Sequence, residues 1–367
     1  MGGLSAVSRN QFDLFGGNSD DGELLPPLHP APENASARKT RRTSGESKVQ
    51  SIAPDDGLGQ IARLLPVGAH LGTSSWSFPG WAGLVYADSH SDQMLARKGL
   101  AAYAAHPLFR TVSLDRTFYA PIAESDYRSY AAQARSTNAL FRFVVKAPML
   151  FTGPRLRSDD GRWTDNPAFL DAGLAAAQFV FPATQGLAET CGPLVFQFPP
   201  MGPRFTKAPQ RFADALAEFL LALPKLSGPA VYAVELRDPE LLTEDYLAAL
   251  CAGGATHCIG IHARMPQAEA QGRFWREAGH LPLVIRWSLH SGLKYEEAKE
   301  RYAPFSVLVD EDPLGRAQVA ALMLEAAASR QQSFVVANNK AEGSAPLTIR
   351  KLSELIAEYG ETIVRNG

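Results

Sequence analysis

Eight short apolar segments, separated by longer stretches with helical patterning, constrain the fold of this chain more than any other feature. The β-like segments are AHLGTS (69–74), RTVSLD (110–115), FRFVVKA (141–147), PLVFQF (193–198), AVYAVEL (230–236), HCIGIH (257–262), PLVIRW (282–287) and SFVVAN (333–338). Strands that alternate with helices indicate βαβ units and a parallel sheet. Eight such units predict an α/β fold, a closed (β/α)8 TIM-like barrel, and 367 residues are enough to form one. A ninth run, FSVLVD (305–310), is either an extra strand or part of an insertion before the last unit.

The first 66 residues have a different texture. They are rich in Pro, Ser, Gly, Asp and Arg and show no sustained period of 2 or 3.6. Such a segment buries too little apolar surface to offset the entropy lost on ordering. We therefore predict a disordered arm over residues 1–66 and a barrel domain over residues 67–360. The basic run at residues 38–42 is interpreted as a solvated tail, with weak phosphate contact as the alternative.

One apolar pentapeptide, QFDLF (11–15), lies inside this arm. It resembles QL[SD]LF, the peptide with which bacterial replication and repair proteins bind the sliding clamp, and it departs from it at Phe12. Leu14 and Phe15 would enter an apolar pocket while Gln11 forms a hydrogen bond. The resemblance implies the sliding clamp as a partner and favours a DNA-related substrate. The alternative is a small apolar patch that folds back on the barrel.

Composition excludes several classes of protein. The formal net charge is −2, so no global basic field indicates a polyanion partner. Three cysteines without a CxxC pair argue against a disulfide framework or a zinc site. No run approaches the ~18 apolar residues of a membrane span, and MGGLSAVSRN lacks the apolar core of a signal peptide. We therefore expect a cytoplasmic protein with no membrane partner.

Polar residues end every predicted strand. In a barrel of this type the carboxyl ends of the strands converge on one site. A Lys or Glu at the end of an apolar strand requires water, a partner or a ligand. The residues are Thr73, Ser74, Asp115, Arg116, Thr117, Lys146, Gln197, Glu235, Arg237, His262, Arg264, Arg286, Asn338 and Asn339.

Six ordered motifs resemble the YecE-like family, a domain of unknown function (number 72). They are GTSSWSFPGWAGLVY (72–86), RTFYAP (116–121), FRFVVKAP (141–148), GPLVFQFPP (192–200), AVELRDPELL (233–242) and ANNKAEGSAP (337–346). The resemblance covers residues 67–360 and implies a barrel, but no established reaction. The family's aromatic positions correspond to Trp76, Trp81, Tyr86, Phe118 and Tyr119. Its polar strand ends correspond to Lys146, Gln197, Glu235, Arg237, Asn338 and Asn339.

Two blocks depart from the family pattern. The family's EINSTFY is here SLDRTFY, so Ser113 stands at the acidic position and Asp115 at the asparagine. A mechanism that needs the missing carboxylate is either lost or served by Asp115. The family's RxHG block is here IRWSLHSG, which retains Arg286. Whether His290 replaces the family histidine stays open.

Glu235, Lys146 and Asp115 are the candidate catalytic residues. Parity places Glu235 on the strand face of Ala233 and Arg237. If that face is the barrel lumen, Glu235 could be a general base, with its pKa raised by burial or lowered by Arg237 or Lys146. The alternative is a structural ion pair. Lys146 is interpreted as an anion anchor, with a Schiff-base amine and a salt bridge to Glu235 as alternatives.

The remaining strand-end and loop residues are candidates for substrate binding. Arg237 and Arg286 are planar donors suited to phosphate or carboxylate. The aromatic side chains near residues 76–86 and 118–119 form either a stacking platform or a hydrophobic plug. No spacing enforces a metal site on His262, Glu235 and Asp115, so we expect none. The full candidate set for substrate binding is Thr73, Trp76, Trp81, Tyr86, Thr117, Tyr119, Gln197, Arg237, His262, Arg286, Asn338 and Asn339.

Two functions from different classes fit these residues. The first is an enzyme, a hydrolase or lyase that acts on an anionic phosphate-bearing or nucleic-acid-related substrate at the barrel mouth. The second is a non-catalytic ligand-binding or adaptor barrel recruited to the sliding clamp. The sequence identifies no cofactor.

Overall fold

Eight parallel strands close into a barrel. A computed structural model of the chain describes residues 48–53, 56–157, 162–279, 281–290 and 293–366, with side chains through residue 360. The strands are β1 (Ala69–Thr73), β2 (Thr111–Leu114), β3 (Arg142–Lys146), β4 (Arg155–Arg157), β5 (Trp163–Asp165), β6 (Cys191–Gln197), β7 (Tyr232–Glu235), β8 (Thr256–Ile261), β9 (Leu283–Trp287) and β10 (Ser333–Ala337). The barrel order is β1-β10-β9-β8-β7-β6-β3-β2, and each neighbouring pair is parallel. This confirms the predicted fold class.

Helices follow most of the barrel strands and cover them from outside. They are α1 (Asp56–Leu64), α2 (Asp92–Lys98), α3 (Leu100–Ala104), α4 (Glu124–Arg135), α5 (Met149–Thr152), α6 (Ala172–Ala175), α7 (Phe181–Leu187), α8 (Pro203–Thr206), α9 (Pro209–Ala222), α10 (Glu244–Gly253), α11 (Ala268–Glu277), α12 (Tyr295–Tyr302), α13 (Pro313–Ala328) and α14 (Ala345–Asn366). Their apolar faces pack on the outward side chains of the strands, as the alternation in sequence requires. No helix of the described chain is both long and apolar enough to cross a membrane.

The domain begins earlier than predicted. Val49 and Leu58 are buried, and α1 packs against α14. The Ile52 amide donates to the Val85 carbonyl oxygen at 3.0 Å. The prediction of disorder is therefore wrong for the described residues between 48 and 66, where a nine-residue helix was too short to give a sustained period. Gln11–Phe15 and the basic run at 38–42 lie outside the described residues.

Two connections differ from a plain alternation of strands and helices. FSVLVD (305–310) forms no strand and lies in the segment between α12 and α13, which is the insertion alternative. The antiparallel pair of β4 and β5 was not predicted. Both strands are three residues long, and the β5 side chains are exposed, so burial leaves no signal in the sequence there.

The strands enclose a second apolar cluster, separate from the one under the helices. It consists of Val144, Val195, Ala233, Cys258, Val284, Phe334 and Val336. These residues lie close in register around the barrel, and the outward cluster takes their sequence neighbours, such as Val234 and Ile285. The lumen is therefore packed with side chains, and its carboxyl end forms the mouth.

Candidate active site at the barrel mouth

The apolar lumen changes to charged residues at its carboxyl end. Glu235 follows Ala233 by two positions on β7 and so shares its lumen face, as predicted. Lys146 follows Val144, Gln197 follows Val195, and Arg286 follows Val284 in the same way. A Cβ atom on Gly260 of β8 would lie 3.2 Å from Glu235 Oε1, so the glycine leaves room for the carboxylate. We call Asp115, Lys146, Gln197, Glu235, Arg237 and Arg286 the polar layer.

Arg286 connects the polar layer across the lumen. Its Nη1 donates to Glu235 Oε2 at 2.6 Å and to Gln197 Oε1 at 3.0 Å. Its Nη2 lies 3.2 and 3.1 Å from the two carboxylate oxygens of Asp115. Since its side chain is 2% exposed, these are charge-assisted bonds in a water-poor environment. One guanidinium thus holds side chains that follow or end β2, β6 and β7.

Arg237 lies beside Arg286 and is less fully paired. Its Nη2 is 2.8 Å from Glu235 Oε1 and lies within 3.5 Å of Gln197 Oε1 and 3.4 Å of Ser288 Oγ. Its Nε and Nη1 atoms are buried, and neither has a hydrogen-bond partner in the part of the chain that the structure describes. Arg237 therefore brings two unused donors to the mouth.

The pKa of Glu235 bears on its two predicted roles, general base and ion-pair partner. Burial alone would raise this pKa, but the neighbouring Arg237 and Arg286, with Lys146, outweigh burial and lower it. A carboxylate with a lowered pKa and an arginine on each oxygen is a poor proton acceptor. The contacts of Glu235 thus favour the ion-pair alternative, and its role as a general base stays a prediction.

Lys146 and Asp115 complete the charged set. The Lys146 ammonium lies 3.7 Å from the centroid of the Phe118 ring, a cation–π contact, and its charge acts on the Glu235 carboxylate. Asp115 accepts a hydrogen bond from Ser113 Oγ in addition to its bonds with Arg286. Both carboxylates of the polar layer are therefore oriented by arginine.

The last strand-to-helix loop lies next to the polar layer. Asn338 Nδ2 donates to Ser74 Oγ at 3.0 Å, and Asn338 Oδ1 accepts from the Lys340 amide at 3.0 Å. Asn339 Oδ1 accepts from the Trp81 indole at 3.3 Å and from the Ala345 amide at 2.9 Å. Its Nδ2 is buried without a hydrogen-bond partner among the described residues.

Most of the predicted aromatic platform is buried. Trp81 and Tyr86 are almost fully covered, and the Tyr86 hydroxyl donates to the Trp76 carbonyl oxygen. Trp76 is buried as well, and burial of these three rings favours the hydrophobic-plug alternative for them. Their role in substrate binding stays a prediction. Tyr119 differs, because it is 37% exposed and packs edge-on against Phe118.

Two residues predicted to bind substrate make other contacts: Thr73 faces away from the lumen, and the Thr117 hydroxyl bonds to backbone carbonyl oxygens. Thr73 is fully buried, and its hydroxyl contacts Tyr103 on the outer helix α3 and the Ser75 carbonyl oxygen. Thr117 Oγ1 donates to the carbonyl oxygens of Leu114 and Lys146. Parity also places Thr73 on the outer face, because the residue two positions earlier, Leu71, packs in the outer cluster. Its role in substrate binding stays a prediction that this orientation does not favour.

Comparison with known proteins identifies the family of this barrel. The sequence pattern of the family described as "Protein of unknown function DUF72" matches residues 70–366. The chain belongs to this family. Its fold is similar to crystal structures of two DUF72 family proteins. The one from Enterococcus faecalis has 15% identity and a TM-score of 0.53, with 78% of this chain and 95% of that chain covered. The one from Thermotoga maritima has 18% identity and a TM-score of 0.50, with 78% and 98% covered. A search of curated proteins gave no match.

In this DUF72 barrel, residues of the two blocks that depart from the expected family motifs lie at or beside the site. Ser113 and Asp115 bind each other, so the substituted block still presents one carboxylate to the mouth. The His290 amide donates to the Lys340 carbonyl oxygen at 2.9 Å, which places His290 beside the last loop. Whether it replaces the family histidine stays open.

Sequence reasoning missed Ser288 and the contact of Tyr295 with Lys340. Ser288 directly follows β9, so the strand-end criterion could have included it. The Lys340 ammonium lies 4.2 Å from the centroid of the Tyr295 ring, on a helix with no predicted role. Only the fold could reveal that second contact.

His262 lies at the mouth, and its Nδ1 accepts a hydrogen bond from the Arg264 amide at 3.4 Å. Among the described residues no three His, Cys, Asp or Glu side chains come together in a way that could hold a metal ion. The candidate site of this chain is a buried cluster of cations, carboxylates and amides.

Proposed function

We propose that the mouth of the barrel binds a small anionic compound that carries a phosphate or a carboxylate, and that the protein is a hydrolase or lyase acting on it. The observation that carries this proposal is Arg237, with two buried N–H donors that have no hydrogen-bond partner among the described residues. Each unsatisfied buried donor costs about 1–3 kcal/mol. Anion oxygens are the acceptors that a guanidinium satisfies best.

The charge balance of the mouth supports the same ligand class. Lys146, Arg237, Arg286 and Lys340 are buried cations, and Asp115 and Glu235 are the carboxylates of the polar layer. Two more buried carboxylates nearby, Asp238 and Glu342, are paired with Arg264 and Arg316, so they leave this balance unchanged. A surplus of positive charge in a water-poor site is unfavourable until an anion enters it. An anionic substrate therefore gains both hydrogen bonds and charge compensation.

We assign roles to the residues of the mouth according to whether their side chains are held in ion pairs. Glu235 and Asp115 are held by Arg286, so we assign them positioning roles. Lys146 is an anchor for the anion in this scheme. His262, whose Nδ1 accepts a hydrogen bond from the Arg264 amide, is the residue at the mouth to which we assign proton exchange with the ligand.

A second candidate is a barrel that binds the ligand without chemistry. The observation that favours it is that both carboxylates of the polar layer are paired with arginine. No carboxylate of that layer is then left to act as a base.

The association with the sliding clamp remains a proposal that rests on QFDLF (11–15). It would direct the barrel to DNA and place the protein in the cytoplasm. Replacement of Phe12, Leu14 and Phe15 by Ala should abolish co-purification with the clamp. Retained co-purification would show that these residues do not bind the clamp.

A thermal-shift screen of phosphorylated and carboxylate compounds tests the main proposal. We expect hits to stabilise the wild-type chain and to leave Arg237→Ala unshifted relative to its own ligand-free melting temperature. Arg264→Ala is the matched control, because Arg264 is half exposed and pairs loosely with Asp238 at 3.8 Å. Equal shifts in Arg237→Ala and the wild type would refute the site, and product analysis on each hit separates enzyme from adaptor.

A further inference from the structure

The cations of the proposed anion site are not on the surface. Lys146 is 2% exposed and Arg237 is 5% exposed. Asn339 and Lys340 of the last loop are buried as well. A ligand that reaches these donors must therefore be enclosed by protein, which limits its size and requires part of the mouth to move.

One segment is placed to cover the mouth. Residues 293–312, which we call the cover segment, contain α12 and the loop that precedes α13. The Tyr295 ring lies over the Lys340 ammonium, so the segment touches a cation of the site directly. Phe305 packs edge-on against Phe78 of the loop between β1 and α2, which we call the first loop, with ring centroids 5.7 Å apart.

Close backbone contacts hold the cover segment in place. A Cβ atom on Gly80 would lie 1.8 Å from the Pro304 carbonyl oxygen, so the segment approaches the first loop as closely as a glycine permits. Gly343, with φ +116°, admits the Val307 carbonyl oxygen and the Val309 amide in the same way. The Val309 amide donates to the Glu342 carbonyl oxygen at 2.8 Å.

The conformation of Phe305 indicates that this closed arrangement is held by its surroundings. Its φ is +67°, in the left-handed region that a bulky side chain rarely adopts. Such a conformation persists where neighbouring contacts outweigh its cost, and it favours release when those contacts are lost.

The charge of the cover segment selects against polymers. It contains six acidic and three basic residues, so a polyanion that approaches the covered mouth meets net negative charge. A small anion is repelled by the cover segment only while it enters, and once inside it is surrounded by the buried cations.

From this geometry we infer that the ligand is a small phosphate- or carboxylate-bearing compound enclosed whole beneath the cover segment, and not a nucleic acid. This inference rests on the proposed function. It adds the size class of the substrate and identifies the cover segment as the element that must open for entry.

The experiment follows binding of inorganic phosphate by stopped-flow tryptophan fluorescence, with a single-stranded oligothymidine as competitor. Gly80→Ala forces the cover segment away from the first loop, so we expect association and dissociation to accelerate roughly tenfold, as for a site whose open fraction limits binding. Gly173→Ala is the matched control, since a Cβ atom there meets nothing closer than 3.5 Å. Phe305→Ala, which removes the contact with Phe78, tests the same point if Gly80→Ala does not fold.

The outcomes separate the two proposals. Phosphate binding that is faster in both cover variants, unchanged in Gly173→Ala and insensitive to the oligonucleotide supports enclosure. Phosphate binding at the wild-type rate in both cover variants, or displacement by the oligonucleotide, overturns enclosure and leaves the anion site standing. Absence of phosphate binding in the wild type and in both cover variants overturns the proposed function itself.

Discussion

Two levels of the same barrel lumen are built from opposite chemistry. On β9, Val284 belongs to the apolar cluster and Arg286, one step higher on the same face, belongs to the polar layer. On β7, Ala233 and Glu235 show the same change. A buried ion pair is often no better for stability than apolar residues of similar volume. The apolar lower level therefore accounts for the stability of the barrel. The charged upper level does not, and we attribute it to ligand binding.

Removal of Arg286 should have the largest effect. Arg286→Ala leaves Asp115 and Glu235 without a shared partner in the lumen, and we expect a loss of about 3–5 kcal/mol in the free energy of unfolding. Urea denaturation measures it. A partial recovery on adding Glu235→Gln would show that the uncompensated charge is the cause. A loss below about 1 kcal/mol, within the range of exposed ion pairs, would contradict the burial of this network.

Val284→Ala tests the lower level on the same strand face. The substitution removes two methyl groups from a packed cluster, and we expect a loss of about 2 kcal/mol. Phosphate affinity should stay at the wild-type value in this variant and should fall in Arg286→Ala. Isothermal titration compares the two. If Val284→Ala weakened phosphate binding as much as Arg286→Ala, the separation of the two levels would be lost.

Trp81→Phe sharpens the contrast between the polar layer and the buried aromatic plug. It removes the indole donor to Asn339 Oδ1, which keeps the Ala345 amide as a donor. We expect a loss of about 2 kcal/mol in the free energy of unfolding, from the lost hydrogen bond and from the cavity that the smaller ring leaves in a fully buried position. Thermal denaturation measures it. Tyr119→Phe, which keeps the ring of a side chain that is 37% exposed, is the control and should change stability by less than about 0.5 kcal/mol.

Two buried glutamates should respond to pH with opposite signs. Arginine neighbours outweigh burial and lower the pKa of Glu235 below its ordinary 4.5, so its ionised form stabilises the fold above that value and this contribution is lost as pH falls through the lowered pKa. Burial raises the pKa of Glu342, so ionisation costs stability as pH rises through the raised pKa. On acidification, the stability advantage of the wild type over Glu235→Gln should shrink. Over the same change in pH, the wild type should gain stability relative to Glu342→Gln, because Glu342 becomes protonated. Equal slopes in the two variants would contradict this assignment.

The sequence was informative where periodicity and local chemistry coincide. All eight barrel strands were predicted, because parallel strands buried on both faces leave short, continuous apolar runs. Parity placed Glu235 on the strand face of Ala233 and Arg237, and the structure shows that Ala233 faces the lumen. The family motifs supported the same barrel independently of the pattern.

The remainder depended on contacts between residues far apart in the chain. Arg286 meets Asp115 because β2 and β9 face each other across a closed lumen, and no spacing in the sequence encodes that meeting. Thr73 ends a strand as its polar neighbours do, yet it points outward. The position of the cover segment depends on Gly80 and Gly343. The sequence shows these glycines, but only the structure shows which backbone atoms approach them closely.

The most direct test of the anion site is a crystal structure of the wild-type chain soaked in inorganic phosphate, compared with Arg237→Ala under the same conditions. The account predicts phosphate density within hydrogen-bond distance of Arg237 Nε or Nη1 in the wild type, and none there in the variant. Density at the mouth in both crystals, or phosphate in the wild type everywhere except at Arg237, would contradict it.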